Sequence, residues 1–289
     1  MKVLITGARG FMGSTLVNWL ECKTNIEVLA PSRQELDLTD SQKVEHYMKK
    51  HKPDVIVHLA ANPNNKPDPY DPNAIIDDNI LSTHNVCYHA VNCPRVIFAS
   101  TISVYGLTPY PVDEGFHKTP TTMYGISKLA GEKIVALYTG QKKIRGVSLR
   151  FCATVGPGMT HGMLYDWGQK IKSNPDELEV FGCAPGSIKP FLHVDDAMQA
   201  IMFMINNWYI TYPVNILPDE LLSVEEIAKI FIATKKLKHK IRWMGDNTVW
   251  AGDVNVLQAS NSRLKAIGIP QFYNTSYESV YSTLRDSPV

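Results

Sequence analysis

A chain of 289 residues, 44% hydrophobic and 20% charged, is long enough for one large α/β domain with a smaller appendage and a sizeable core. With 29 basic against 28 acidic residues the formal net charge is +1, which leaves no electrostatic footprint for nucleic acid or a membrane surface. The five cysteines form no C-x-x-C pair, so neither a metal site nor a disulfide framework is expected, and a reducing compartment fits better. The opening 1-MKVLITG-7 leads straight into a fold element and no apolar run approaches ~18 residues, so the sequence predicts a soluble, cytoplasmic protein without membrane spans.

In chain order, strands are predicted at 2-KVLIT-6, 26-IEVLA-30, 54-DVIVHLA-60, 95-RVIFAS-100 and 145-RGVSLRF-151. They are nearly continuous Val, Ile and Leu, the pattern of strands covered by helices on both faces. Helix-like stretches lie between them, notably 14-STLVNWLE-21, 41-SQKVEHYMKKH-51, 78-DNILSTHNVCYHAV-91 and 123-MYGISKLAGEKIVALY-138. The alternation predicts a doubly wound parallel α/β sheet of Rossmann type. After about residue 152 the rhythm breaks into 163-MLYDWGQKIKS-173, 178-LEVFG-182, 195-DDAMQAIMFMIN-206 and 223-SVEEIAKIFIATK-235, where Ser223 and Glu226 form a capping-box pattern. The expected division is a dinucleotide-binding domain of residues 1–152 with parts of 183–216, and a smaller C-terminal α/β substrate cap of residues 153–182 and 217–289.

The segment 6-TGARGFMG-13 follows a strand and precedes a helix. Its glycines permit a tight turn and let backbone N–H groups approach a pyrophosphate at a helix N-terminus. Gly7, Arg9, Gly10, Phe11, Met12 and Gly13 are therefore candidate cofactor contacts. The second strand ends in 29-LAPSRQ-34, with Ser32 and Arg33 where an acidic residue would suit an NAD ribose. A guanidinium matches a 2′-phosphate and gains little from a bare diol, so NADP(H) is favoured over NAD(H). Arg9 is placed to reach the same phosphate, and Asp37 and Leu38 to bracket the adenine.

Tyr124 and Lys128 are four apart and share a helix face. An ammonium beside a phenol lowers the phenol's pKa from ~10 and makes it a usable base. Thr101 can hold the same substrate oxygen. His58 and His193 sit in apolar runs and read as structural, as does the Met-rich 197-AMQAIMFMI-205 as core. The polar, Pro-rich loop 62-NPNNKPDPYDPN-73 is placed over the site.

These stretches, with 58-HLAA-61, 78-DNILSTHNV-86, 98-FASTISVYG-106, 124-YGISK-128, 149-LRF-151, 155-VGPG-158, 191-FLHVDD-196 and 215-NI-216, resemble an extended short-chain dehydrogenase/reductase of the NAD-dependent epimerase/dehydratase family acting on nucleotide sugars. The resemblance implies catalysis by Thr101, Tyr124 and Lys128. It implies cofactor contacts from Leu59, Ala60, Ala61, Asn79, Ser100 and Phe151 beside those of the glycine turn. It implies substrate contacts from Thr101, Ser103, Ala153, His161, Val180, Phe181 and Lys189. It also implies a homodimer through helices 78–91 and 123–138, with Leu129 and Ile134 on the seam.

The reaction is narrowed by comparison within that family. Its dehydratases carry an acid after the catalytic Thr, and here Ile102 and Ser103 hold those places. GDP-fucose synthase-like enzymes use a Cys where Ser103 stands, although Arg9, Arg33 and 34-QELDLTD-40 are similar to theirs and His161 could mimic their epimerising His. The stretches 58-HLAANP-63, 155-VGPGMTHGMLYDW-167, 174-NPDELEVFG-182 and 250-WAGDV-254 look most like archaeal-type UDP-glucose 4-epimerases. Ala153 and Lys189 depart from the usual Asn and Arg, and Arg33 suits a reductase. The expectation is a nucleotide-sugar 4-epimerase, with an NADPH-dependent 4-keto-sugar-nucleotide reductase, GDP-fucose synthase-like or 4-dehydrorhamnose reductase-like, as the alternative. A cofactor sensor without turnover would need a broken Tyr/Lys pair, and an RNA-binding relative a basic face.

Overall fold

The computed structural model of the chain describes residues 1–23, 26–63, 71–92, 94–108, 111–174, 176–245, 256–270, 272 and 274–287. Most of the loop expected over the site (64–70) and the motif at 250–254 lie outside the described residues.

The first half alternates strand and helix: β1 (Lys2–Thr6), α1 (Phe11–Lys23), β2 (Glu27–Leu29), α2 (Ser41–His51), β3 (Val55–His58), α3 (Pro72–Ile75), a π-helical turn (Ile76–Leu81), α4 (Ser82–Tyr88) and β4 (Arg95–Thr101). A 3₁₀ turn (Ile102–Tyr105), α5 (Met123–Gly140) and β5 (Arg145–Phe151) complete it. Beyond these come β6 (Ala153–Val155), α6 (Met163–Lys170), β7 (Glu177–Val180), β8 (Ile188–Lys189), β9 (Phe191–His193), α7 (Val194–Asn206) and β10 (Val214–Ile216). The last elements are β11 (Leu222–Ser223), α8 (Val224–Thr234), β12 (Lys240–Trp243), α9 (Ser262–Ala266) and α10 (Ser276–Asp286).

One six-stranded parallel sheet runs in the order β10-β5-β4-β3-β1-β2. The chain adds β2 on one side of β1 and β3 on the other, so the winding reverses between β1 and β3. In sheets of this kind the crevice at the carboxyl ends of those strands is where ligands sit. The period of two is visible in the core. Val3, Ile5, Val55, Val57 and Ile97 face α1 and α7, where Leu16, Leu20, Met198 and Ile201 meet them. Leu4, Ile56, Val96 and Phe98 face α2, α4 and α5, against Met48, Val86 and Val135. Each such side chain withdrawn from water contributes ~1.5–3 kcal/mol before entropy is counted.

Helix starts obey local chemistry. The Asp40 carboxylate accepts from the N–H groups of Gln42 and Lys43 at α2, and the Thr122 hydroxyl accepts from Gly125 N–H at α5. The expected box at α8 forms, with Ser223 and Glu226 capping each other. The single helix expected over 78–91 is instead α3, a π-helical turn and α4, over residues 72–88. The C-terminal segments build a second core in which Trp167, Leu178, Val180, Ile227, Phe231, Val280 and Leu284 meet. Around it lie two-stranded ladders, β12 with parallel β7 and β11 with antiparallel β8.

Candidate active site

The turn after β1 is built for close approach. Gly7 has φ 71°, and a Cβ there would lie 2.7 Å from Ala60 N. A Cβ on Gly13 would lie 2.1 Å from the Gly7 carbonyl oxygen. Gly10 N–H closes the turn onto Gly7 O at 2.9 Å. Helix α1 begins at once and carries no acidic residue in its first turn, so its positive dipole end opens towards the crevice. A cavity of about 290 Å³ lies there, and Gly7, Arg9, Gly10, Arg33, Asp37, Leu38, Leu59, Ala60 and Ala61 of the expected set line it. A bare-backbone turn at a helix N-terminus beside such a cavity fits a dinucleotide's diphosphate and adenosine. Phe11 and Met12 are half-buried in the first turn of α1.

At the end of β2 the charges are already engaged. Arg33 Nη2 lies 3.0 Å from Asp78 Oδ1 of the π-helical turn. The Glu35 carboxylate accepts from Ser32 N–H at 2.7 Å and from the Ser32 hydroxyl at 2.8 Å. Those bonds, backbone first, with Arg9 nearby, hold its carboxyl below the usual range. The Asp37 carboxylate accepts from the Thr39 hydroxyl at 2.8 Å. That bond, with the Thr39 N–H and then the Arg33 charge, lowers its pKa against desolvation. Sequence reasoning missed Glu35 and Asp78. Ser32-x-x-Glu35 is a capping-box spacing that could have exposed the first. The second is a contact over 45 residues that no local spacing reports.

At the carboxyl end of β4, Thr101 is nearly buried. Its hydroxyl caps the 3₁₀ turn by accepting from Ser103 N–H at 3.2 Å, and donates to the Ser103 hydroxyl at 3.2 Å. Lys128 Nζ donates to Ala99 O at 2.8 Å, two residues before Thr101. It lies 5.0 Å from the Phe98 ring centre and 5.8 Å from that of Tyr124. The three residues thus converge on one strand end. Burial has an effect that spacing did not predict: it pushes the Tyr124 phenol up to about 12 and the Lys128 ammonium down to about 7. Loss of water disfavours both charged forms, so the phenol is raised where the neighbouring ammonium was expected to lower it.

Several expected contacts are placed differently. The Ser100 hydroxyl is buried and donates to Glu132 Oε1 at 2.6 Å. The Asn79 amide is satisfied inside the protein, accepting from Asn62 N–H and donating to Asn62 O and the Ser127 hydroxyl. Val180 is 1% exposed in the C-terminal core and Phe181 is 66% exposed, because β7 turns Val180 inward and ends there. Phe151 is buried in the sheet core. Ala153 is exposed at the start of β6, Lys189 half-buried on β8, and His161 exposed just before α6. His58 is structural: buried between the hydroxyls of Thr6 (2.7 Å) and Thr83 (3.0 Å), it stays neutral, its pKa pushed to about 3 by desolvation. His193 caps α7.

The glycine cradle, the crevice and the Thr–Tyr–Lys cluster together find their counterpart in one family. The description "NAD dependent epimerase/dehydratase family" matches residues 3–212. The chain belongs to this family. GDP-6-deoxy-D-talose 4-dehydrogenase of Aggregatibacter actinomycetemcomitans is 30% identical over 240 residues, covering 80% of this chain and 79% of its own. GDP-L-fucose synthase 1 of Arabidopsis thaliana is 25% identical over 264 residues, covering 84% and 80%. A crystal structure of a UDP-galactose 4-epimerase superposes with a TM-score of 0.85 at 28% identity, over 99% of this chain and 98% of that one. The protein is accordingly an enzyme of the nicotinamide-dependent epimerase and reductase kind. Among the described residues no helix is long and apolar enough to cross a membrane.

The lowered Lys128 pKa couples the site to stability. Between pH 7 and 10.5 the unfolded chain keeps this proton and the folded chain does not, so stability rises with pH across that window. Below pH 7 the cost of the buried charge is complete. Lys128→Met should therefore stabilise the cofactor-free protein at pH 6, on the order of a few kcal/mol, with the gain shrinking towards pH 10. Denaturant titrations of both proteins at pH 6 and 9 check this; a gain that is constant or grows with pH contradicts it.

Proposed function

We propose that the enzyme exchanges hydride and proton at a single carbinol, C4 of a nucleotide-diphosphate hexose, and works as a 4-epimerase. The observation that carries this reading is the pair of residues directly after Thr101. Ile102 is 2% exposed and packed in the sheet core, and Ser103 shares its hydroxyl with Thr101. Neither supplies the acid or base that elimination of water, or epimerisation at C3 and C5, requires.

In this reading Thr101 holds the C4 oxygen. Tyr124, as phenolate, takes the O–H proton and returns it after the keto-sugar has turned over. Lys128, in its protonated form, steadies the phenolate and holds the ribose of the cofactor. A nicotinamide held beside Lys128 would supply the reversible hydride acceptor for C4, and its oxidised ring would favour the Tyr124 phenolate. NADP(H) remains the favoured cofactor on the strength of Arg9 and Arg33 at the cavity, with NAD(H) the alternative. The same arginines favour a second reading, reduction of a 4-keto-sugar nucleotide by NADPH. The names of the talose dehydrogenase and fucose synthase relatives agree with it.

The cap is assigned to residues 153–182 and 217–289, and the sugar contacts to Ser103, Ala153, His161, Phe181 and Lys189; Val180 is left to the core. The four described cysteines are free thiols, in keeping with a cytoplasmic enzyme. Self-association is assigned to α4, the π-helical turn and α5. There Leu81, Tyr88, Ile126 and Leu137 are exposed, while Leu129 and Ile134 are half-buried against the protomer's own core. Leu137→Glu should shift a dimer to monomer in sedimentation, and an unchanged profile would remove this surface from the account.

The reaction is tested by incubating the protein with UDP-glucose, UDP-galactose and their N-acetyl counterparts without added reductant. Epimer formation is expected, and Tyr124→Phe should lower its rate by roughly 10²–10⁴ while leaving cofactor binding intact. No interconversion, together with NADPH oxidation by a 4-keto-6-deoxy sugar nucleotide, would make reduction the better reading.

A further inference from the structure

Arg33 and Asp78 come from opposite sides of the cavity that the dinucleotide's adenosine end would fill. Arg33 lies just after β2, Asp78 sits in the π-helical turn between α3 and α4, and both line the cavity. Their 3.0 Å contact closes across it. The two partners are unequal. The Arg33 side chain is 69% exposed and the Asp78 side chain 21%. Asp78 is anchored: its carbonyl accepts the Ser82 hydroxyl, its second carboxylate oxygen takes Asn62 Nδ2 at 3.4 Å, and its neighbour Asn79 is buried. Arg33 is therefore the arm and Asp78 the fixed post.

The surrounding charge points the same way. Arg9 and Arg33 are the guanidinium groups lining the cavity and Asp37 and Asp78 its carboxylates, with Glu35 near Arg9 and Lys43 near Asp37. The guanidinium groups are thus already matched by carboxylates before any ligand arrives. A 2′-phosphate brings close to two further negative charges and must draw Arg33 away from Asp78. A bare 2′-hydroxyl leaves the ion pair as it is.

We propose that Asp78 sets the cofactor preference by holding Arg33 across the cavity in competition with the 2′-phosphate, so that the site accepts NAD(H) as well as NADP(H). The inference rests on reading Arg33 as the 2′-phosphate ligand. An exposed ion pair is worth little, so the effect is a graded bias of up to roughly fivefold, not exclusion of either cofactor. Asp78 acts through Arg33 and is a positioning residue.

The test is a fluorescence titration of NADPH and NADH binding at one fixed ionic strength, on wild type, Asp78→Asn, Arg33→Ala and the double variant. Asp78→Asn should tighten NADPH roughly three- to fivefold and change NADH by less than about twofold. In the Arg33→Ala background the same substitution should leave the ratio of the two affinities unchanged. Asp78→Ser, which keeps neither charge nor shape, must repeat the gain, and thermal melts of each variant confirm the fold. Equal changes for the two cofactors in Asp78→Asn, or a selective gain that survives without Arg33, overturns the proposal. Arg33→Ala weakening NADPH and NADH equally in the wild-type background overturns instead the reading of Arg33 on which it rests.

Discussion

The arrangement of the site depends on one buried ion pair. Glu132 and Arg150 are 5% and 2% exposed and meet through two parallel hydrogen bonds of 2.8 and 2.7 Å. Glu132 lies one turn beyond Lys128 on α5, and also takes the hydroxyl of Ser100 from β4. Arg150, beside Phe151 on β5, donates to the Tyr105 hydroxyl, which passes the network to Asn215 on β10. Glu114 then accepts from Asn215 N–H and faces Arg263 at 3.4 Å. A bidentate pair whose remaining groups are satisfied can live in a dry interior, and losing one member costs about 3–5 kcal/mol because it strands the other. This tie fixes α5 on the sheet, and with it the reach of Lys128 to Ala99 and its place beside Thr101.

The site itself is held against its electrostatic preference. Lys128 is buried and Tyr124 half-buried, and desolvation favours the neutral form of each. In the proposed reading, forming a phenolate at Tyr124 therefore runs against its surroundings. At the other end of the site, the Arg9 and Arg33 guanidinium groups are already matched by the Asp37 and Asp78 carboxylates. Stability given up in this way is common at sites whose groups must change state.

Much of this was legible in the chain. The nearly continuous apolar run 2-KVLIT-6 marked a strand covered on both faces, as Leu4 on one side and Val3 and Ile5 on the other now are, and 145-RGVSLRF-151 coincides with β5. The glycine spacing gave the cradle because its physics is local. Contacts across the fold were not legible. Helix α10 escaped the reading although Thr275 and Glu278 form a capping box, since what fixes it is Ser276 accepting from Phe191 N–H and donating to Glu220 O. The partners of Ser100, Asn79 and Arg33 lie 17 to 48 residues away in the chain. The direction of the Tyr124 shift depends on burial, which a spacing of four residues does not report.

The central claim, that chemistry is confined to one carbinol because Ile102 and Ser103 offer no acid or base, is tested most directly by isotope exchange. The sugar nucleotide that the enzyme turns over is incubated with it in D₂O, and each ring carbon of the product is read by NMR against an enzyme-free control. The account predicts no solvent deuterium at C3 or C5 and full retention of the C4 hydrogen through epimerisation. Enzyme-dependent deuterium at C3 or C5 would contradict it.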